Sequence, residues 1–309
     1  MKRRPEMRII WIAGGVFCLF GFLFAATGDD FTIRHDVRLV LLDVSVRDHE
    51  GNLVSGLTRQ DFTAFEDGRP QTLSVFDNQD APVTMGILVD ESASMTPRRS
   101  QVLAAAENLI EESNREDEVF VLNFNDSVTR GLPDGVLFSS KIPQLRAALY
   151  RGHPAGKTAL YDAVSDGLAQ LEKGKRARKT LILVSDGGDN GSVHKRAETL
   201  DLVQQSAATI FTIGLFDEGA YDADPAILRQ LAKISGGEAW LPQSLNGVSD
   251  VCRHIATEIR SRYTIGYVPR ADSAPTSLRH IHVKVTGPGH NGLTALTREV
   301  YRYEQPQTK

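Results

Sequence analysis

Four short, unbroken apolar runs constrain this chain most: Val83–Val89, Glu118–Phe124, Thr180–Ser185 and Ala208–Leu215. A strand that is apolar at consecutive positions has both faces covered, as in a parallel sheet flanked by helices. Between and after these runs lie segments of helical spacing. Val102, Ala106, Leu109 and Ile110 make one stripe, Leu160, Val164, Leu168 and Leu171 a second, and Val248, Val251, Ile255 and Ile259 a third. Pro225 suits the first turn of a further helix carrying Ile227, Leu231 and Ile234, closed by Gly236 and Gly237. Shorter strands are expected at Val128–Leu132 and Glu238–Leu241. The alternation over residues 83–260 predicts an α/β domain, a doubly wound and mostly parallel sheet.

Outside that span the pattern is β. Val37, Leu39 and Leu41 alternate, then Leu42, Val44 and Val46 continue on the opposite parity, which signals a bulge or a strand covered on both faces. Asp48–Asn52 reads as a turn and Glu66-Asp-Gly68 as a tight hairpin. Leu73 and Val75 begin another strand, and Gln79–Pro82 reads as a linker. After residue 260, Tyr263, Ile265 and Tyr267 alternate, then Ile281, Val283 and Val285, and a last strand is expected at about Leu296–Tyr303. Pro269–Pro275 and Thr286–Gly292 are the loops between them. Each flank, 30–80 and 261–309, is too small to bury its own core without disulfides. The two are expected to pair as one small antiparallel β-sandwich in which the α/β domain is inserted. Two separate small sheets are the alternative.

Residues 1–28 read as an export segment. Lys2, Arg3, Arg4 and Arg8 precede an apolar run from Ile9 to Ala26, and Ala26-Thr27-Gly28 offers a cleavage site. A removed signal peptide and a retained N-terminal membrane anchor both fit, since the run of 18 residues is at the lower limit for a span. Either way the rest is expected outside the cytoplasm: periplasmic, on the cell surface or secreted. Without this segment the chain holds 31 basic against 38 acidic residues, a net charge of −7. That balance, with no basic patch, argues against nucleic acid as a partner. Cys18 falls in the export segment and lacks the small residues a lipoprotein signal places before its cysteine. Cys252 alone makes no internal disulfide and is expected to be a buried, inert thiol.

The first apolar run ends in Asp90, and Ser92 and Ser94 follow at alternate positions. A turn after that strand aims one carboxylate and two hydroxyls beyond its carboxyl end, where open α/β sheets place ligands. Oxygen donors of this kind suit a small hard cation such as Mg²⁺, with Mn²⁺ or Ca²⁺ as alternatives. Thr158, in Gly156-Lys-Thr-Ala159, stands at the mouth of a helix, and Asp186 follows the third run in Ser-Asp-Gly. These pieces, in this order, resemble the metal-ion-dependent adhesion site (MIDAS) of von Willebrand factor A (VWA) domains. The resemblance implies that Asp90, Ser92 and Ser94 reach the metal directly or through water. It implies further that Thr158 joins when a ligand binds, and that Asp186 holds waters around the ion. It also implies a non-enzymatic binding module, whose protein partner completes the cation's shell with an Asp or Glu carboxylate. Leu57–Gly68 resembles a motif of a bacterial family of exported A-domain proteins, which implies no established activity.

Other readings stay open beside this one. A metal that only holds loops together would make the chain a structural component of an envelope assembly. Without metal, the Asp and Ser residues would be turn caps. A hydrolase would use the same cation to activate water, though no Gly-x-Ser-x-Gly elbow is present. The loops Gly152–Gly156 with His153, Gly187–Ser192, and Phe216–Asp224 with Asp217, Glu218, Asp222 and Asp224 are the candidates for specificity. Gly152-His-Pro-Ala-Gly-Lys-Thr158 is not a phosphate loop: three residues separate its glycines where four are needed, and the helical stretch Ile142–Tyr150 precedes it. His280 and His282 share one face of a strand and read as a solvated face rather than a metal site.

Overall fold

A strand buried along its whole length belongs in mid-sheet, and β5 (Val83–Asp90) lies there. The computed structural model describes residues 39–216, 221–242, 247–270, 276–287 and 292–304. The export segment, Val37, the acidic-loop residues Asp217 and Glu218, and parts of the loops 269–275 and 286–292 lie outside the described residues. β5 is flanked by β6 (Glu118–Phe124) and β8 (Arg178–Ser185), both parallel to it. Outward lie β9 (Thr209–Gly214) and β10 (Ala239–Trp240) on one side, and the antiparallel β7 (Val128–Arg130) on the other, in the order β10-β9-β8-β5-β6-β7. The chain leaves β5 toward β6 and later returns to the opposite side as β8. The carboxyl ends of β5 and β8 therefore border the topological switch point, the crevice where such sheets bind ligands.

Six helices accompany this sheet among the described residues: α1 (Arg99–Glu111), α2 (Ile142–Leu149), α3 (Leu160–Leu171), α4 (Arg196–Gln205), α5 (Pro225–Ser235) and α6 (Val248–Ser261). α5 begins at Pro225 and ends on Gly236 in a left-handed conformation, as its sequence predicts. α4 has no counterpart in the apolar periodicity, because only Thr199 and Val203 of it are buried.

Close packing in this core makes one glycine irreplaceable. A Cβ added to Gly86, in β5, would stand 2.3 Å from Phe120 Cζ and 2.6 Å from a Leu181 methyl. Gly86→Ala is expected to cost about 1–3 kcal/mol by overpacking, read as a lower urea midpoint with an unchanged slope.

The flanking segments form two four-stranded antiparallel sheets. One runs β13 (Thr294–Leu296), β1 (Val40–Arg47), β11 (Tyr263–Tyr267), β4 (Leu73–Asp77); the other runs β14 (Val300–Glu304), β12 (Thr276–Val285), β2 (Phe62–Glu66), β3 (Arg69–Gln71). Each sheet takes strands from both ends of the chain, and they share one apolar core that includes Leu42, Val44, Phe62, Ile265 and Val283. The small segments thus cover each other, and the α/β domain is inserted between β4 and β11, which pair through Thr264 and Asp77. Asp67 and Gly68, at φ 48° and 76°, make the two-residue turn between β2 and β3. The change of parity before Leu42 is not a switch of the buried face. Val40, Leu42, Val44 and Val46 are buried on one parity throughout β1, Leu41 is half-buried, and Leu39, just before the strand, is exposed, so only Ser45 adds cover on the second face. A bulge lies elsewhere, in β11 at Gly266 and Tyr267 against β4.

The expected last strand, Leu296–Tyr303, is two strands in different sheets. Residues 297–299 cross from β1's sheet to β12's. There Arg298 donates through Nη2 to the Leu41 carbonyl at 3.0 Å, in place of a neighbouring strand.

A buried guanidinium network joins the sandwich to the α/β domain. Arg47 donates to Glu238 and, at 2.8 Å, to Glu258, which Arg262 also reaches at 2.9 Å. Arg178 donates to Thr264 Oγ1 and to the Arg262 carbonyl.

Candidate metal centre

β5 delivers Asp90 to the switch point, and the chain turns sharply after it. Asp90 Oδ1 accepts the Ser92 N–H at 2.9 Å, and Oδ2 accepts the Ser185 hydroxyl of β8 at 2.6 Å. A short 3₁₀ turn, Ala93–Arg98, then leads into α1 and carries Ser94 back over the crevice. The Ser92 and Ser94 hydroxyls are 3.0 Å apart, and Ser94 Oγ donates to Asp186 Oδ2 at 2.7 Å. Asp186 Oδ1 accepts the Gly188 N–H at 2.9 Å. Asp90, Ser92, Ser94 and Asp186 are therefore linked in one hydrogen-bonded cluster, with Ser185 as an added member.

Thr158 approaches from the loop before α3. Its N–H donates to Asn190 Oδ1, and its carbonyl accepts from the Asn190 and Gly191 N–H groups. The loop after Asp186 is thereby tied to the loop that carries Thr158, although the Thr158 hydroxyl makes no hydrogen bond to the other four residues. Asp189 caps α3, its Oδ1 accepting from Leu160 and Tyr161 N–H.

Electrostatics give the cluster its character. Asp90 and Asp186 are 2% and 5% exposed, and neither forms an ion pair with any described residue. Burial pushes the Asp90 carboxyl up to about 6, against the lowering effect of the Ser185 and Ser92 hydrogen bonds, and the nearby Asp186 adds to the rise. Two buried carboxylates without a cation, among hydroxyls with free lone pairs, form a set of hard oxygen donors that lacks positive charge. That donor set fits Mg²⁺, which tolerates few protein ligands and keeps its own waters.

Glu91, the residue between Asp90 and Ser92, is a structural member that the motif does not name. It is 1% exposed, and Arg99 Nε donates to its Oε2 at 2.7 Å while Arg99 Nη2 reaches the Gly152 carbonyl at 2.5 Å. This clamp ties the Asp90 turn, α1 and the Thr158 loop together. A cue lay in the sequence: an acid after a buried strand, with an arginine eight residues on.

Two other candidates read differently in place. Glu238, His254 and Glu258 bring ligand atoms within 4.8 Å of one another, but the Arg47 guanidinium already bonds both carboxylates. That cluster is an ion-pair network. Cys252 is buried, and burial pushes its thiol up to about 12, so it is inert.

Residues 85–250 match the family model of the von Willebrand factor type A domain. The chain belongs to the VWA domain family. Among solved structures, this VWA protein is similar to a von Willebrand factor type A protein from Catenulispora acidiphila, at 15% identity and TM-score 0.51, covering 85% of this chain and 74% of that one. It is also similar to the vWF domain of the type V pili tip protein Mfa5 from Porphyromonas gingivalis, at 13% identity and TM-score 0.50, covering 63% and 99%. A third, proximal thread matrix protein 1 from the mussel byssus with a zinc-occupied MIDAS motif, is 15% identical at TM-score 0.49, covering 64% of this chain and half of that one. These likenesses are of fold alone. No curated protein matches the chain in sequence.

Proposed function

We propose that the chain is an exported, non-enzymatic binding module that recruits a partner protein through a Mg²⁺ ion held at Asp90, Ser92, Ser94, Thr158 and Asp186. The observation that carries this reading is the pair of buried, uncompensated carboxylates at the switch point, joined through Ser92 and Ser94. Two carboxylates and three neutral hydroxyls leave the cation's shell open, and an Asp or Glu from a partner is the natural further ligand. The absence of a basic surplus and the export-type residues 1–28 support a partner outside the cytoplasm. Mn²⁺ or Ca²⁺ substitutes for Mg²⁺ in this reading.

The Asp90 carboxyl sets the pH dependence. Below about 6 a proton competes with the cation, and affinity for Mg²⁺ is expected to fall about tenfold for each further pH unit. Isothermal titration of Mg²⁺ across this range tests it. A flat profile, or no saturable binding at neutral pH, would sink the reading. A partner captured on the immobilised chain in Mg²⁺ should be released by EDTA.

A further inference from the structure

The inserted α/β domain and the sandwich do not close completely against each other. Between the carboxyl half of α5 and the crossing at residues 297–299 lies an open cavity of about 420 Å³. The α/β domain contributes α5 and the approach to β10, and the sandwich contributes β12 and residues 295–299. The space exists because small side chains, Ala232, Ala239 and Ala295, line it where larger ones would fill it. Cavities of this order at a seam between two folded units are a favoured place for small-molecule sites.

Ile281, Val283 and Leu296 supply an apolar wall, and Arg229 and Lys233 line the cavity from α5. These two cations are four residues apart on the helix, so both rise from one face of it, and both are exposed. Neither side chain bonds to any described residue. A cation in the last turn of a helix is favoured by the helix dipole, which accounts for Lys233. Arg229 lies a turn further in, where that effect has faded. Two acids also line the cavity. Glu238 is already bonded to Arg47, which leaves Glu299 alone against two cations. The lining therefore carries one surplus positive charge beside an apolar wall.

We infer that this cavity is a binding site for a small monoanion with an apolar body, a carboxylate or sulfonate carried on a compact hydrocarbon group. The anionic group is held by Arg229 and Lys233, and the body lies against Ile281, Val283 and Leu296. Charge-assisted hydrogen bonds orient the ligand, and the apolar contact adds affinity that a bare inorganic anion cannot gain. The site is separate from the cation at Asp90. α5 begins beside the Asp186 loop, where Asp224 N donates to the Asp186 carbonyl, and the cavity borders its other end. The inference is therefore tested in EDTA, where the outcome does not depend on the metal.

The probe is anilinonaphthalene sulfonate, added to the whole chain and followed by NMR of side-chain methyl groups. The methyls of Ile281, Val283 and Leu296 are expected to shift together and to saturate at one probe per chain, with a Kd below about 1 mM. Its uncharged counterpart, phenylnaphthylamine, and inorganic sulfate, which has no apolar body, should each bind about tenfold more weakly or worse. Lys233→Glu should weaken the sulfonate by about tenfold, and Arg229→Glu likewise. Both positions are exposed on α5, so the thermal midpoint of the free variants should match that of the wild type. Three outcomes overturn the inference: no saturable shift at these methyls, equal binding of the uncharged counterpart, or undiminished binding by the charge-reversed variants.

Discussion

Replacing Asp90 with asparagine is expected to remove saturable Mg²⁺ and Mn²⁺ binding while making the metal-free fold more stable at neutral pH, by up to about 3 kcal/mol. Asparagine keeps the shape of the side chain and an oxygen to accept the Ser92 N–H. It removes the charge that the cation needs, so affinity should fall about 100-fold or more, equivalent to about 2.7 kcal/mol. The metal-free stability follows from the sign of the shift. Because burial raises the Asp90 carboxyl from 3.8 to about 6, its stabilising contribution is complete below the ordinary carboxylate value. That contribution is lost as pH rises through about 6. At neutral pH the wild type therefore carries a buried charge at a cost on the order of 3 kcal/mol, which the bound cation offsets and the variant never incurs. Thermal unfolding with and without Mg²⁺ separates the cases: Mg²⁺ should raise the midpoint of the wild type and leave the variant unmoved. A variant that still responds to Mg²⁺ would place the cation elsewhere.

Glu258→Ala is expected to destabilise the protein by about 3–5 kcal/mol. The Glu258 side chain has no solvent exposure, and its two oxygens are shared between Arg262 and Arg47. Burial alone would push its carboxyl up, but these two guanidinium groups bring it below the usual range. Removing it leaves Arg262, 4% exposed, without its carboxylate partner, beside an Arg47 that keeps only Glu238. Since the folded carboxyl is lowered, its contribution is present above the ordinary glutamate value and lost as pH falls through the lowered one. The gap between variant and wild type should accordingly narrow in acid. Urea unfolding at neutral pH and at low pH measures both effects, and a loss under about 1 kcal/mol at neutral pH would show that the network is solvated in solution.

The parts of this fold that announce themselves in sequence are those whose burial is uniform. β5, β6, β8 and β9 are apolar at successive positions, and α5 is bracketed by Pro225 and Gly236. α4 escaped because its exposed Leu202 and its two buried residues make no stripe. The break at residues 297–299 escaped for another reason. Leu296 and Tyr301 each suit a strand, and nothing in their alternation says that they serve different sheets. Pairing of the two flanks followed from size, since neither segment buries a core alone. At the site, Asp90, Ser92, Ser94 and Asp186 were legible as motif pieces, and the structure links them. Thr158 was legible too, though its hydroxyl stands apart from that hydrogen-bonded cluster. Ser185 was not, because its part depends on a contact with Asp90 that no spacing encodes, and Glu91 left only the faint cue of an arginine eight residues on.

The pairing of β4 with β11 has a mechanical consequence. Both connections to the α/β domain leave from the same end of one antiparallel pair, at Asp77 and Thr264. A pull delivered at the switch point by a tethered partner would load these two strands at that shared end. Their bonds would then open one after another, like a zipper, instead of sharing the load in shear. The guanidinium contacts of Arg178, Arg262 and Arg47 lie across that junction and would take the force first. Under tension, the weakest seam of the molecule is thus held by charge rather than by the apolar core on either side of it.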